Sequence, residues 1–198
     1  LLSCNAGEII AIFFAILLGW TSPLRSIHIL WVNLITDSLP ALALGVDPKD
    51  EDVMNKKPRN PEETIFTGSL GSLIFNGVLI GAITLIAFQI GNHRYSDSII
   101  HAQTMAFMTM SISELVHSLN MRSPEKSIFK IGFFTNKLLI TSIVLGILLQ
   151  IIILYVPYLS STFSVYRLTM QDWKWIALLS LMPLVFNEVF KLFRRNRL

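Results

Sequence analysis

The chain has 198 residues, 53% of them hydrophobic and 15% charged, with a mean hydropathy of +0.59. Together with long uncharged runs, this is the composition of a membrane protein rather than of a soluble domain. The single cysteine, Cys4, excludes an internal disulfide, and nothing in the distribution of a net charge of +3 suggests nucleic-acid binding.

In chain order, six apolar spans are predicted, at about residues 1–20, 27–45, 68–91, 99–121, 137–156 and 173–193. Short connections imply antiparallel neighbours, so the expected fold is an all-α membrane protein, a six-helix transmembrane bundle. The chain opens at Leu1 inside an apolar run, with no initiator methionine and no basic lead-in. It is therefore not read as a signal peptide, and is expected to be a piece of a longer protein. Loops 46–67 and 122–136 and the C-terminal tail hold Lys49, Lys56, Lys57, Arg59, Arg122, Lys126, Lys130, Lys137, Lys191, Arg194, Arg195 and Arg197. The opposite loops hold only Arg25, Arg94, Arg167 and Lys174. The positive-inside rule then makes loops 46–67 and 122–136 and both termini cytoplasmic. Trp20, Trp173 and Trp175 sit at span ends, as interfacial anchors in lipid do, and Trp31 fits that role less well.

The second span is the most informative. ILWVNLITDSLPALALG is apolar enough for a bilayer, yet it carries Asn33, Thr36 and Asp37 at i, i+3 and i+4, on one helical face. An ionised carboxylate at mid-bilayer costs about 2.5–3.5 kcal/mol on insertion scales, so it needs a partner. Oxygen donors suit a hard cation such as Ca²⁺. Pro40 removes a backbone donor and leaves the Thr36 carbonyl free, which predicts a local opening of the helix. Two more acids fall deep inside spans: Glu8, three residues after Asn5 in the first span, and Glu114 in the fourth, within TMSISELVHSLN. The hairpin of the first two spans can bring Asn5 and Glu8 opposite Asn33, Thr36 and Asp37. A polar helix-packing patch would explain a lone Asn or Thr. Three acids, two amides and a threonine fit a cation site better, and the same carboxylates can take up protons when the metal leaves. Oxygen-only ligation argues against a soft-metal site, and Cys4 is read as a small packing residue.

Elsewhere the residues read more plainly. Glu188 and Lys191 are predicted to form an ion pair near the end of the last span. The methionines of AFMTMS read as bundle core. Gly77 and Gly81, a small-xxx-small pair, predict close approach of the third span to a neighbour. The sequence carries no glycine-rich phosphate loop, nucleotide pocket or soluble domain, so chemistry that drives uphill transport is not expected in this chain.

These motifs resemble the C-terminal membrane half of P-type cation-transporting ATPases, most closely the sarcoplasmic and endoplasmic reticulum type of calcium pump. The likeness rests on SCNAGE, ILWVNLITDSLPALALG, VDPKDEDVMNKKPRNPEE, SISELVHSLN and NEVFKLFRRN, and runs along essentially the whole chain. The resemblance implies that the six spans are the last six of a ten-helix pump. The first four helices and the phosphorylation, nucleotide and actuator domains would then lie on the same polypeptide outside this chain, with ATP and Mg²⁺ acting there. It implies that Asn5, Glu8, Thr36, Asp37 and Glu114 hold one Ca²⁺. Asn33 and Asp37 would help hold a second, completed by the absent fourth helix. It also implies that the third-span glycines pack on the first span, and that loop 46–67 touches the phosphorylation domain. Glu8 and Glu114 together favour two Ca²⁺ per cycle with proton counter-transport, whereas sodium pumps carry an aspartate at the position of Asn33. The loop joining the third and fourth spans is short and lacks a cysteine pair, which resembles a bacterial member in the cell membrane. The alternatives are a pump of this family for Mn²⁺ or Na⁺, and a self-contained passive channel or binding module.

Overall fold

The computed structural model describes residues 1–48, 64, 67 and 69–195, with the backbone alone for 194 and 195. Within these residues the structure is helical, without strands. Six helices organise it: α1 (Leu2–Leu17), α2 (Ser26–Gly45), α3 (Leu70–Arg94), α4 (Ile99–His117), α5 (Lys137–Tyr155) and α6 (Met170–Arg195). Two shorter pieces, Ile128–Ile131 and Pro157–Phe163, fill connections expected to be loops. Pro157 opens its helix at the first position, where its missing N–H costs nothing. The loop expected over 46–67 lies outside the described residues beyond Pro48, apart from Thr64 and Thr67. Lys49, Lys56, Lys57, Arg59 and Arg197 lie outside them too.

Four helices, α2, α3, α5 and α6, are long and apolar enough to cross a membrane. α1 and α4 differ from the six-span expectation for separate reasons. α1 is apolar but has 16 residues. It stops short of residue 20 because Gly19 adopts φ 71°, which lets Trp20 N–H bond to the Ala15 carbonyl at 2.8 Å and Gly19 N–H to Ile16 at 3.0 Å. That pairing caps the last carbonyls, and glycine adopts it without a Cβ penalty. α4 has 19 residues but carries Gln103, Thr104, Thr109, Ser111, Ser113 and Glu114. It tolerates them because fifteen of its residues are buried: α3 and α6 pack along it, and α5 touches it. Met105, Phe107, Met108 and Met110 form the centre of the apolar core around it.

The seam between α1 and α3 is tightly packed. A Cβ added at Gly77 would lie 2.8 Å from Ala6 Cβ, and one at Gly81 would lie 2.7 Å from Ile10 Cγ2. Without side chains there, the two backbones approach closely, as the spacing of these glycines predicts. At the end of the bundle that carries Arg122, Asn136 caps α5 by accepting from Leu139 N–H at 2.9 Å and donates to Ala43 O and Asp47 Oδ1, each at 2.9 Å. Arg122 adds a forked contact to Asp47 at 3.1–3.2 Å and a bond to Gly132 O at 2.8 Å. The chain after α2 is thereby fixed to the chain between α4 and α5. Glu188 pairs with Lys191 at 3.3 Å, as expected, and also accepts from Ser127 Oγ and from Ile128 N–H. At the other end, buried Asp172 accepts from Tyr95 Oη at 2.9 Å and lies 3.4 Å from Arg94.

Candidate metal centre

α2 is not a uniform helix. Val32–Thr36 form a π turn, closed by Asp37 N–H bonding back five residues to Val32 O at 2.9 Å. Ser38 Oγ donates to Asn33 O at 3.2 Å across the wide turn. The α-helix resumes at Ser38, so Pro40 occupies its first turn, where no N–H is required. The opening expected at Pro40 is therefore one widened turn before it rather than an unwound stretch. The turn spreads the polar residues of α2 over three neighbours instead of one face.

Asn33, half-buried, faces α1: its Nδ2 donates to both carboxylate oxygens of Glu8, at 3.1 and 3.0 Å. Thr36, fully buried, faces α5, where Gln150 Nε2 donates to its Oγ1 at 3.4 Å. Asp37 lies with Glu114 of α4 and Cys4 of α1, the three presenting ligand atoms within 4.8 Å of one another. All three are buried and line a cavity of about 300 Å³, together with Pro40, His117 and Ser118. Among the described residues, Asp37 Oδ2 and both carboxylate oxygens of Glu114 have no hydrogen-bond partner. Buried acceptors of this kind are stable only if a cation or a proton satisfies them. Carboxylate oxygens gathered from α2 and α4 can hold a divalent cation.

Of the six residues named from the sequence, the structure pairs Glu8 with Asn33 and brings Asp37 to Glu114, while Thr36 turns to Gln150 of α5. Asn5 does not join them. The buried face of α1 runs through Ser3, Cys4, Gly7, Glu8, Ala11 and Ala15, and Asn5 stands beside it, exposed. Two contributors were missed. Gln150 is an isolated amide in the apolar run of α5, a signal legible as a polar residue at mid-span. Cys4 was read as packing, and its nearness to two carboxylates depends on α1, α2 and α4 meeting.

A family described as cation transporting ATPase, C-terminus, matches residues 21–193. The chain belongs to the cation-transporting ATPases. This C-terminal region is 56% identical to calcium-transporting ATPase 1 of Bacillus cereus, with 99% of the chain and 24% of the relative covered. It is 42% identical to a calcium-transporting ATPase of Bacillus subtilis, with 92% and 21% covered. It is 35% identical to one of Listeria monocytogenes, with 94% and 21% covered. The chain thus spans about a quarter of the length of the curated relatives it matches. Membership in the family and four membrane-length apolar helices make it part of a multi-pass membrane ATPase.

Proposed function

We propose that this chain is the membrane part of an ATP-driven calcium pump that binds Ca²⁺ between its helices and exports it from the cytoplasm. The observation that carries the proposal is the pair Asp37 and Glu114, brought together from α2 and α4 with three buried carboxylate oxygens unpartnered. Residues 1–198 act as one transport domain, and α1 and α4 cross the bilayer with the other four helices. Asp37 and Glu114 are the central ligands, Thr36 and Glu8 contribute oxygens, and Asn33 holds Glu8 in place until an ion arrives. Asn5, exposed here, supplies its oxygen on a face that further helices of the longer polypeptide would cover. The names of the bacterial relatives support calcium as the cargo and a bacterial cell membrane as the location.

These 198 residues are not expected to hydrolyse ATP by themselves. ATP and Mg²⁺ act on the remaining three-quarters of a polypeptide as long as the relatives. Both ends of this chain face the cytoplasm, by the distribution of Lys and Arg. Lipid covers outward apolar residues such as Leu148 and Phe190. Proton counter-transport follows if the unpartnered carboxylates bind protons once the ion has left, since no buried donor satisfies them.

The test is Ca²⁺-dependent ATP hydrolysis and vesicle uptake by the full-length protein, comparing wild type with Asp37→Asn. Micromolar Ca²⁺ activates the wild type, and the folded variant loses both activities. Activation by Mn²⁺ or Na⁺ instead would change the cargo within the same family. Normal transport by Asp37→Asn would overturn the site. Uptake down a gradient without ATP would favour the passive channel.

A further inference from the structure

The unpartnered cluster does not consist of oxygen alone. Cys4 is buried on the face of α1 that meets α2 and α4, and its sulfur belongs to the same 4.8 Å group as the carboxylates of Asp37 and Glu114. Glu114 is 97% buried, lines the cavity and has neither oxygen paired, so the pocket already lacks a partner for its charge. We infer that Cys4 Sγ, Asp37 and Glu114 form a mixed sulfur–oxygen site that takes a thiophilic divalent cation, with Cd²⁺ as its probe. The inference rests on the reading of Asp37 and Glu114 as cation ligands.

Softness decides the choice, since the three ligand atoms lie within 4.8 Å of one another, a spacing open to ions of several sizes. Hard cations such as Ca²⁺ and Mg²⁺ take oxygen and gain little from sulfur, whereas thiolate selects soft ions. The thiol gives up its proton to solvent as the metal–sulfur bond forms. Cd²⁺ therefore competes with Ca²⁺ for the two carboxylates and gains a third bond that Ca²⁺ does not exploit.

The experiment is a titration of the purified full-length protein with CdCl₂, in detergent or nanodiscs, following the ultraviolet sulfur-to-cadmium charge-transfer band as the difference between wild type and Cys4→Ser. Cys4 is the sole cysteine of these 198 residues, and the difference removes any band from cysteines elsewhere in the polypeptide. The wild type is expected to give a saturating band at one equivalent, and excess Ca²⁺ should diminish it. Cys4→Ser, nearly isosteric, should lose the band and bind Cd²⁺ at least about tenfold more weakly, no less than the cost of disturbing an outer-shell partner. Its Ca²⁺ affinity should stay the same or rise, because oxygen replaces sulfur. Glu114→Gln should keep the thiol but weaken Cd²⁺ about tenfold or more. Absence of a wild-type band, or unchanged Cd²⁺ affinity in Cys4→Ser, overturns the inference and leaves the calcium reading intact. A saturating band with undiminished affinity in Glu114→Gln overturns it as well, since the thiol would then bind alone. If the cadmium results hold while Asp37→Asn transports Ca²⁺ normally, the calcium reading fails and the mixed site stands.

Discussion

Replacing Gly77 by alanine tests whether the α1–α3 seam positions the site. The new Cβ would lie 2.8 Å from Ala6 Cβ and 3.3 Å from Ser3 O. Neither atom ends a flexible side chain, so relief requires the helices to part. Carbon atoms rest at about 3.5–4.0 Å, so the separation needed is roughly 0.7–1.2 Å. Overpacking of this kind costs roughly 1–3 kcal/mol. Removing a mid-helix glycine returns about 0.8–1 kcal/mol. The net loss expected for so tight a seam is about 1–2 kcal/mol. At about 2–4 °C per kcal/mol for a chain of this size, the midpoint should fall by roughly 2–8 °C. Gly71 lies in the same helix with nothing among the described residues within 4 Å of an added Cβ, so Gly71→Ala should raise the midpoint instead. A thiol-reactive fluorophore reads both transitions, because Cys4 is buried on α1 and is the sole cysteine. The same displacement moves Glu8 away from Asn33, whose bonds are 3.0 and 3.1 Å long, so Gly77→Ala should also lower Ca²⁺ affinity. A Gly77→Ala protein that melts as high as Gly71→Ala would refute the reasoning.

Gln150→Leu removes the donor to Thr36 without opening a cavity. It should lower Ca²⁺ affinity about tenfold while the melting midpoint moves little, and equal affinity by calorimetry would show that Thr36 needs no positioning. Arg122→Ala removes the charged partner of Asp47, which keeps the Asn136 amide, and leaves Gly132 O with Thr135 Oγ1. The expected loss is about 2–4 kcal/mol, below the roughly 3–5 kcal/mol of a fully buried pair because Asp47 keeps some contact with water. Arg122→Lys should recover only part of it, since the fork is lost; full recovery on thermal unfolding would argue against the forked contact. Asn187 Nδ2 donates to Asn76 Oδ1 at 2.6 Å between α6 and α3. Asn187→Leu should cost about 0.6 kcal/mol and at most about 1.7, as bonds between membrane helices do, and a larger loss would mean that the pair organises more than itself.

The helices and much of the site were legible because a bilayer punishes exceptions. Asp37, Glu8 and Glu114 stand out in apolar runs, where an unexplained acid is costly. The close approach at Gly77 and Gly81 was legible from spacing alone. What was not legible depends on how elements meet. The π turn is a property of α2 and its neighbours; Pro40 marks the region but not which turn widens. A helical wheel places Asn33, Thr36 and Asp37 together, and the wide turn separates them among α1, α5 and α4. Asn5 and Glu8 were grouped by a spacing of three, yet the buried stripe of α1 runs through Cys4 and Glu8 and leaves Asn5 outside. The same stripe brings Cys4 to the carboxylates, which no count along the chain reveals. α4 fell short of membrane hydropathy because the solvent of a central helix is protein, and polar residues are tolerated there once neighbours surround them.

The α1–α3 seam has a thermodynamic character unlike that of the cluster beside it. Glycine and alanine lose no rotamer freedom on packing, so this contact forms without the side-chain entropy that leucine or methionine would surrender. Its attraction is dispersion between close backbones, which depends on distance and hardly at all on charge or dielectric. If Glu8, Asp37 and Glu114 exchange an ion for protons, as proposed, the electrostatics around them change, while the dispersion that holds the seam does not depend on charge. On that proposal α1 and α3 would supply a frame of steady spacing, against which Cys4 and Glu8 on α1 are held.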